Sequence, residues 1–162
     1  MTHIVHKHNV WDLFFKDNLY IISFPKMHLF KYEHVENKTG KLELQDWVKS
    51  KIYQFAIDGD DDVFLTNKTG LYMIKKGEEH HSHKWHLFKN ESKFQAIEID
   101  RKGVAHFGKL DGVYVASKSN HTLEKVAHIK NLFSLTFDNE NNLIYSNPHQ
   151  IVKLTPTCDI GT

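Results

Sequence analysis

Four places in this chain, spaced by about 40 residues, set an aromatic ring beside a small polar or acidic side chain: Trp11–Asp12, Tyr53–Gln54, Phe94–Gln95 and Phe133–Ser134. Rings offer a large apolar contact with little rotamer freedom to lose. A carboxylate, two amides and a hydroxyl beside them can orient a polar group, which is the usual make-up of a small-molecule site. A planar aromatic molecule would stack on the rings, and an amino-acid group on it would seek Asp12 or Lys68. These eight residues form the expected ligand site, ringed by Phe24, Asn67, Lys68, Lys109, Asp111 and Asn147. No catalytic residue, metal site or cofactor is expected.

Other chemistry fits less well. A metal-dependent hydrolase needs carboxylate and amide oxygens around a divalent ion. Asp12 and Glu98 are the acids available on the same segments, whereas Asp58, Asp100 and Asp138 fall in turn sequences. The run His80-His81-Ser82-His83-Lys84-Trp85-His86 is rich in imidazole. It has neither cysteine nor a fixed carboxylate partner, so it reads as a solvated loop that encloses no ligand. Asn37, Asn67, Asn90 and Asn120 each begin an Asn-X-Ser/Thr sequon. The composition predicts about one by chance, so the excess points to a secreted glycoprotein.

The elements that must position these residues come from an internal repeat. Val10–Asp17, Ile52–Gly59, Phe94–Arg101 and Leu132–Asn139 superimpose, with anchors Lys16, Asp58, Asp100 and Asp138 spaced by 42, 42 and 38 residues. Each shows the alternation of a strand with one buried face. Leu13, Phe55, Ile97 and Leu135 are the expected buried positions. Turns rich in Asp, Asn, Gly and Lys follow, then a second, a third and a weaker, more polar fourth strand. Four short antiparallel strands per repeat of roughly 40 residues is the pattern of propeller blades. The fold is therefore expected to be all-β: a partial, open β-propeller of about four blades. It reads as a single domain over residues 1–162, with blades at 9–48, 49–89, 90–129 and 130–155, an orphan outer strand at 1–6 and a tail at 156–162.

The bulk properties narrow the partners. The formal net charge is +1, and Arg101 is the only arginine among 21 basic residues. The near-zero charge gives no reason to expect a polyanionic partner, and the near absence of arginine, the usual bidentate phosphate reader, argues further against nucleic acid. No apolar run approaches the roughly 18 residues that span a bilayer, and no signal peptide is visible. Cys158 is the sole cysteine, so any disulfide needs a partner elsewhere. An arc of blades leaves bare flanks, so the chain is expected to be a fragment that needs missing N-terminal blades or self-association.

With the repeats laid out, the chain resembles the ommochrome-binding protein family, pigment carriers of insect (chiefly moth and butterfly) haemolymph. The resemblance rests on Asn9–Tyr20, Thr69–Met73, Asp111–Val115 and the ending Ile151–Cys158. It implies the C-terminal part of a six-bladed propeller related to the regucalcin and gluconolactonase superfamily. It also implies extracellular carriage of a small aromatic, ommochrome-like ligand by a protein that is not an enzyme. The alternative is a fragment of a metal-dependent regucalcin- or gluconolactonase-like hydrolase.

Overall fold

The computed structural model describes residues 8–35, 40–89 and 93–155. The orphan strand expected at residues 1–6, the sequons at Asn37 and Asn90, and Cys158 with its tail lie outside them. Each described repeat becomes one antiparallel sheet in simple up-and-down order. The first holds β1 (Val10–Lys16), β2 (Asn18–Ser23), β3 (Leu29–Glu33) and β4 (Lys41–Leu44). The second holds β5 (Ile52–Ile57), β6 (Val63–Asn67), β7 (Gly70–Ile74) and β8 (His86–Lys89). The third holds β9 (Ala96–Ile99), β10 (Ala105–Lys109), β11 (Gly112–Ser117) and β12 (Thr122–His128). The fourth has three strands, β13 (Ser134–Phe137), β14 (Leu143–Ser146) and β15 (Ile151–Leu154).

Hairpin closure explains why the anchor position is acidic in three repeats. Asp58 Oδ1 accepts the Asp60 amide at 2.9 Å. Asp100 Oδ1 accepts those of Lys102 and Val104 at 2.8 and 2.9 Å, and Asp138 Oδ1 those of Glu140 and Asn142 at 3.0 and 2.8 Å. A carboxylate that closes an Asx turn satisfies backbone donors the ladder cannot reach. These aspartates are turn residues, as their sequence context indicates. In the first repeat Lys16 replaces the acid, and Asp17 makes the tight turn at φ 58°.

The chain forms two compact units, Met1–Ile57 with Asp61–Ser92, and Asp58–Asp60 with Lys93–Thr162. In the first unit β1 lies beside β5. Phe14, Tyr20, Ile22 and Leu29 of the first sheet pack on Phe55 and Leu65 of the second. In the second unit β9 lies beside β13, and Val113, Ile129 and Leu132 cover Leu135 and Phe137. In both units the first strands of the two sheets run side by side. The turns of the second unit also interlock. The Gly59 amide donates to the Gly103 carbonyl at 2.8 Å. Arg101 donates from its guanidinium to the Phe137 and Asp138 carbonyls and to the Asn139 side chain.

Two expected core positions differ. Phe55 and Leu135 are buried, but Ile97 is only partly covered and Leu13 is 65% exposed. Alternation fixes which face a side chain takes, whereas burial needs a sheet on that face. Leu13 points away from the second sheet, the neighbour that covers the opposite face of β1.

Candidate functional site

Counting back five residues from each anchor gives Trp11, Tyr53, Gln95 and Phe133. In the first unit this position is a β-bulge. Val10 pairs with Ser23 and Asp12 with Ile22, leaving Trp11 as the extra residue. Ile52 pairs with Asn67 and Gln54 with Thr66, leaving Tyr53. A bulge re-aims the side chain it carries. Trp11 uses that freedom to donate its Nε1 hydrogen to the Tyr53 carbonyl at 3.2 Å. Its ring stacks on Phe24, with centroids 6.1 Å apart and planes 22° apart. Trp11 and Phe24 remain 57% and 52% exposed, so the pair is an oriented aromatic surface open to solvent.

The polar neighbours are also placed. The Asp12 carboxylate accepts the Leu13 amide at 2.9 Å, while partial burial raises its pKa above the ordinary carboxylate value. Gln54 Oε1 accepts the Thr66 hydroxyl at 3.0 Å, tying β5 to β6. Tyr53 is half-buried against the core of the first unit.

In the second unit Phe133 is exposed beside Ser134, and its amide donates to the Ser146 carbonyl at 2.9 Å. Gln95 makes the equivalent bond to Gly108 at 2.8 Å. Phe94 departs from its expected place. It is one residue out of step with the bulge position, only 8% exposed, and packed edge-on to Phe107. Of its counterparts at that step, Ile52 and Leu132 are fully buried and Val10 is exposed. The third repeat thus presents Gln95 where the others present a ring.

The surrounding loop residues divide by role. Asn67 is 7% exposed, and its side-chain oxygen accepts the Thr69 amide, the Thr69 hydroxyl and the Gly70 amide. The Asn67 side chain is thus held within the turn, unlike that of a sequon presented to solvent. Asn147 closes the matching turn in the fourth sheet through His149 and Gln150. Asp111 accepts from Lys125 and from the Tyr114 hydroxyl, which hold its pKa down at about 2. Asn120 lies exposed in the turn between β11 and β12.

The histidine run forms a single 3-10 turn at Ser82–Lys84, with the exposed His81 and His83 rings edge-on at 5.8 Å. Its beginning does help to enclose space, contrary to the expectation of an open loop. Glu79 and His80, with Asp46 and Trp47, line two adjoining cavities of about 400 and 390 Å³ in the first unit. The longer connections between β4 and β5 and between β7 and β8 create this space. Trp47 and Trp85 meet edge-to-face there at 6.0 Å. Two tryptophans 38 residues apart, both late in their repeats, were the available sequence signal.

No family model matches the chain. It is similar to the ommochrome-binding protein of Manduca sexta, 24% identical over 154 residues that cover 91% of this chain and 52% of that protein. The chain thus spans about half the length of the curated relative it matches. Among solved structures it resembles a catalytically inactive virginiamycin B lyase from Staphylococcus aureus determined with quinupristin. That likeness has a TM-score of 0.58 at 12% identity, over 94% of this chain and 57% of the lyase. It also resembles the extracellular domain of a hybrid two-component system from B. thetaiotaomicron, at a TM-score of 0.63 and 12% identity over 90% of this chain and 20% of that one. The fold is accordingly an all-β partial β-propeller with four blade-type sheets. At these identities the structural likeness speaks of fold alone.

Proposed function

We propose that this chain binds and carries a small planar aromatic molecule, of the ommochrome class, on the surface made by Trp11, Phe24 and Tyr53. The observation that carries this reading is the stacked, solvent-open Trp11–Phe24 pair, held in place by the indole bond to Tyr53. A pre-set ring pair accepts a third ring without ordering cost. Asp12 stands beside it to meet an amino group on the ligand. In the second unit, Gln95 and Phe133 occupy the same register position as Trp11 and Tyr53 do in the first. Similarity to an ommochrome-binding protein supports a carrier role over a catalytic one. The recurring acids Asp58, Asp100 and Asp138 each give one carboxylate oxygen to turn closure. Secretion into haemolymph, with a glycan on Asn120, completes the proposal.

A second location for the same activity rests on the cavities beside Trp47. The experiment that separates the two is a titration of the chain with an ommochrome pigment, followed by tryptophan fluorescence in Trp11→Phe, Trp47→Phe and Trp85→Phe proteins. Loss of the quenching signal in Trp11→Phe supports the exposed pair. Its loss in Trp47→Phe moves the site to the cavity, and no saturable binding by any of the proteins ends the carrier reading.

A further inference from the structure

The two adjoining cavities of the first unit, about 400 and 390 Å³, share Asp46, Trp47, Glu79 and His80 in their linings. Their aromatic wall has a fixed geometry. Trp47 donates its Nε1 hydrogen to Gln45 Oε1 at 3.2 Å. Trp85 meets it edge-to-face at 6.0 Å and is edge-on to Tyr72 at 6.3 Å. The charges around these rings do not cancel. Asp61 takes both Lys16 and Lys76, at 2.6 and 2.8 Å. Lys31 stands opposite Glu43 in the β3–β4 register, on the same side of the sheet. Asp17, Asp46 and Glu79 remain in the lining, with Lys49 as the one further lysine, and none of these three acids forms an ion pair among the described residues. The Tyr20 hydroxyl, in the wall of the first cavity, responds to this surplus: burial raises its pKa, and the charges of Glu79 and Asp17 raise it further.

We propose that this cavity is a second site, separate from the Trp11 surface, for a small organic ammonium ion with an aromatic or apolar body. A bare metal ion fits poorly. No three carboxylate or imidazole groups of the lining bring their ligand atoms within 4.8 Å of one another, so a cation that meets several of these acids must carry bulk of its own. An ammonium group between Asp46 and Glu79 lies beside Trp47, and indole is the best of the side-chain rings for holding a cation. The apolar end of the molecule extends towards Tyr20 and Leu44 in the first cavity. The volume is at the low end for small-molecule pockets, which suits a ligand of few atoms. A carboxylate of the same size would meet the same rings with the wrong charge. The site stands whether or not a pigment binds at Trp11.

Calorimetric titration of the 162-residue chain with phenethylamine and with hydrocinnamate tests this. Hydrocinnamate keeps the ring and the chain length and carries a carboxylate in place of the ammonium. The expected result is saturable amine binding with a Kd of about 1 mM or below, and hydrocinnamate weaker by about tenfold or more. Glu79→Gln and Asp46→Asn should each weaken amine binding roughly three- to fivefold, as loss of a partly exposed ion pair does. Both changes keep a side-chain oxygen, so the Gly77 amide retains its acceptor on residue 79 and thermal transitions should match the parent. Glu124→Gln, an equal change of charge on β12, should leave amine binding unchanged. Equal binding of the two probes would overturn the proposal, as would no saturable amine binding. So would amine binding that survives both cavity substitutions, or that is lost instead in Trp11→Ala.

Discussion

Replacing Trp11 with alanine removes a ring whose support is local and whose loss the core does not feel. A tryptophan side chain presents about 250 Å², and 57% of Trp11 is open, so about 140 Å² is available to a ligand. A flat molecule lies on one side of the indole and covers about half of that. At about 25 cal/mol per Å² this contributes about 1.7 kcal/mol. Stacking geometry adds about 0.5–1.5 kcal/mol. Trp11→Ala is therefore expected to weaken pigment binding by about 2–3 kcal/mol, roughly 30- to 150-fold. Folding loses one exposed hydrogen bond, worth about 1 kcal/mol. Phe24→Ala should act in the same direction but less strongly, because it leaves the indole in place without its stacking partner. Tyr53→Phe should be near neutral, since Trp11 bonds to the residue-53 carbonyl rather than to the phenol. Calorimetric titration with the pigment measures all three, with denaturation midpoints as the folding control. If Trp11→Ala binds within threefold of the parent, the exposed pair is not the anchor and the reasoning fails.

Three further outcomes follow from the same coordinates. Gly103→Ala should destabilise the second unit by about 2–4 kcal/mol in urea denaturation, because φ is +84° and a Cβ would lie 2.6 Å from the Gly59 Cα. In secreted protein, glycopeptide mass spectrometry should find Asn120 occupied and Asn67 bare; a glycan on Asn67 would contradict the buried turn described for it. Stability should fall with acid in two stages. Burial holds His106 below its ordinary 6.5, so the unfolded chain takes the proton first and stability declines as pH drops through and below 6.5. Asp61, held at about 2 by hydrogen bonds from Lys16 and Lys76, and Asp111, held at about 2 by Lys125 and Tyr114, contribute fully above about pH 4 and lose that contribution as pH falls towards 2. Asp12, raised by burial, opposes the second stage slightly. His106→Gln should abolish only the first decline in Tm.

The sheets were legible because strand alternation and turn chemistry are local properties. Asp58, Asp100 and Asp138 mark the first hairpin of their repeats both in the sequence and in the structure. Fourth strands, expected only as weak and polar, form at Lys41–Leu44 and His86–Lys89, short and late in their repeats. Polar edge strands carry little periodicity, and the 3-10 turn at Ser82–Lys84 takes residues that alternation would have given to a strand. Phe94 was misplaced because residue type was followed in place of spacing. Counting from Asp100 leads to Gln95, and a one-residue slip turns a side chain from the surface into the core. Leu13 shows the other limit, since a pattern states which side faces a neighbour and not whether one is there. Asn67 was legible as a turn residue too: an Asn two residues before a Thr-Gly strand start has its side-chain oxygen taken by the turn.

The repeats also separate scaffold from function without reference to any other protein. Where repeats keep one residue type, the backbone uses it: the Asp of the hairpin turn, and the Asn of the turn that precedes the third strand in the second and fourth sheets. Where they differ, the backbone asks only for its amide and carbonyl. The bulge position holds Trp, Tyr, Gln and Phe, and two of its four amides make the same kind of ladder bond, from Gln95 to Gly108 and from Phe133 to Ser146. A position that the fold leaves chemically open, yet fills with a ring in three of four repeats, has its side chains available to something outside the backbone. The ligand proposed for this chain draws on these open positions: its rings would meet Trp11 and Phe24, which the fold orients and leaves exposed.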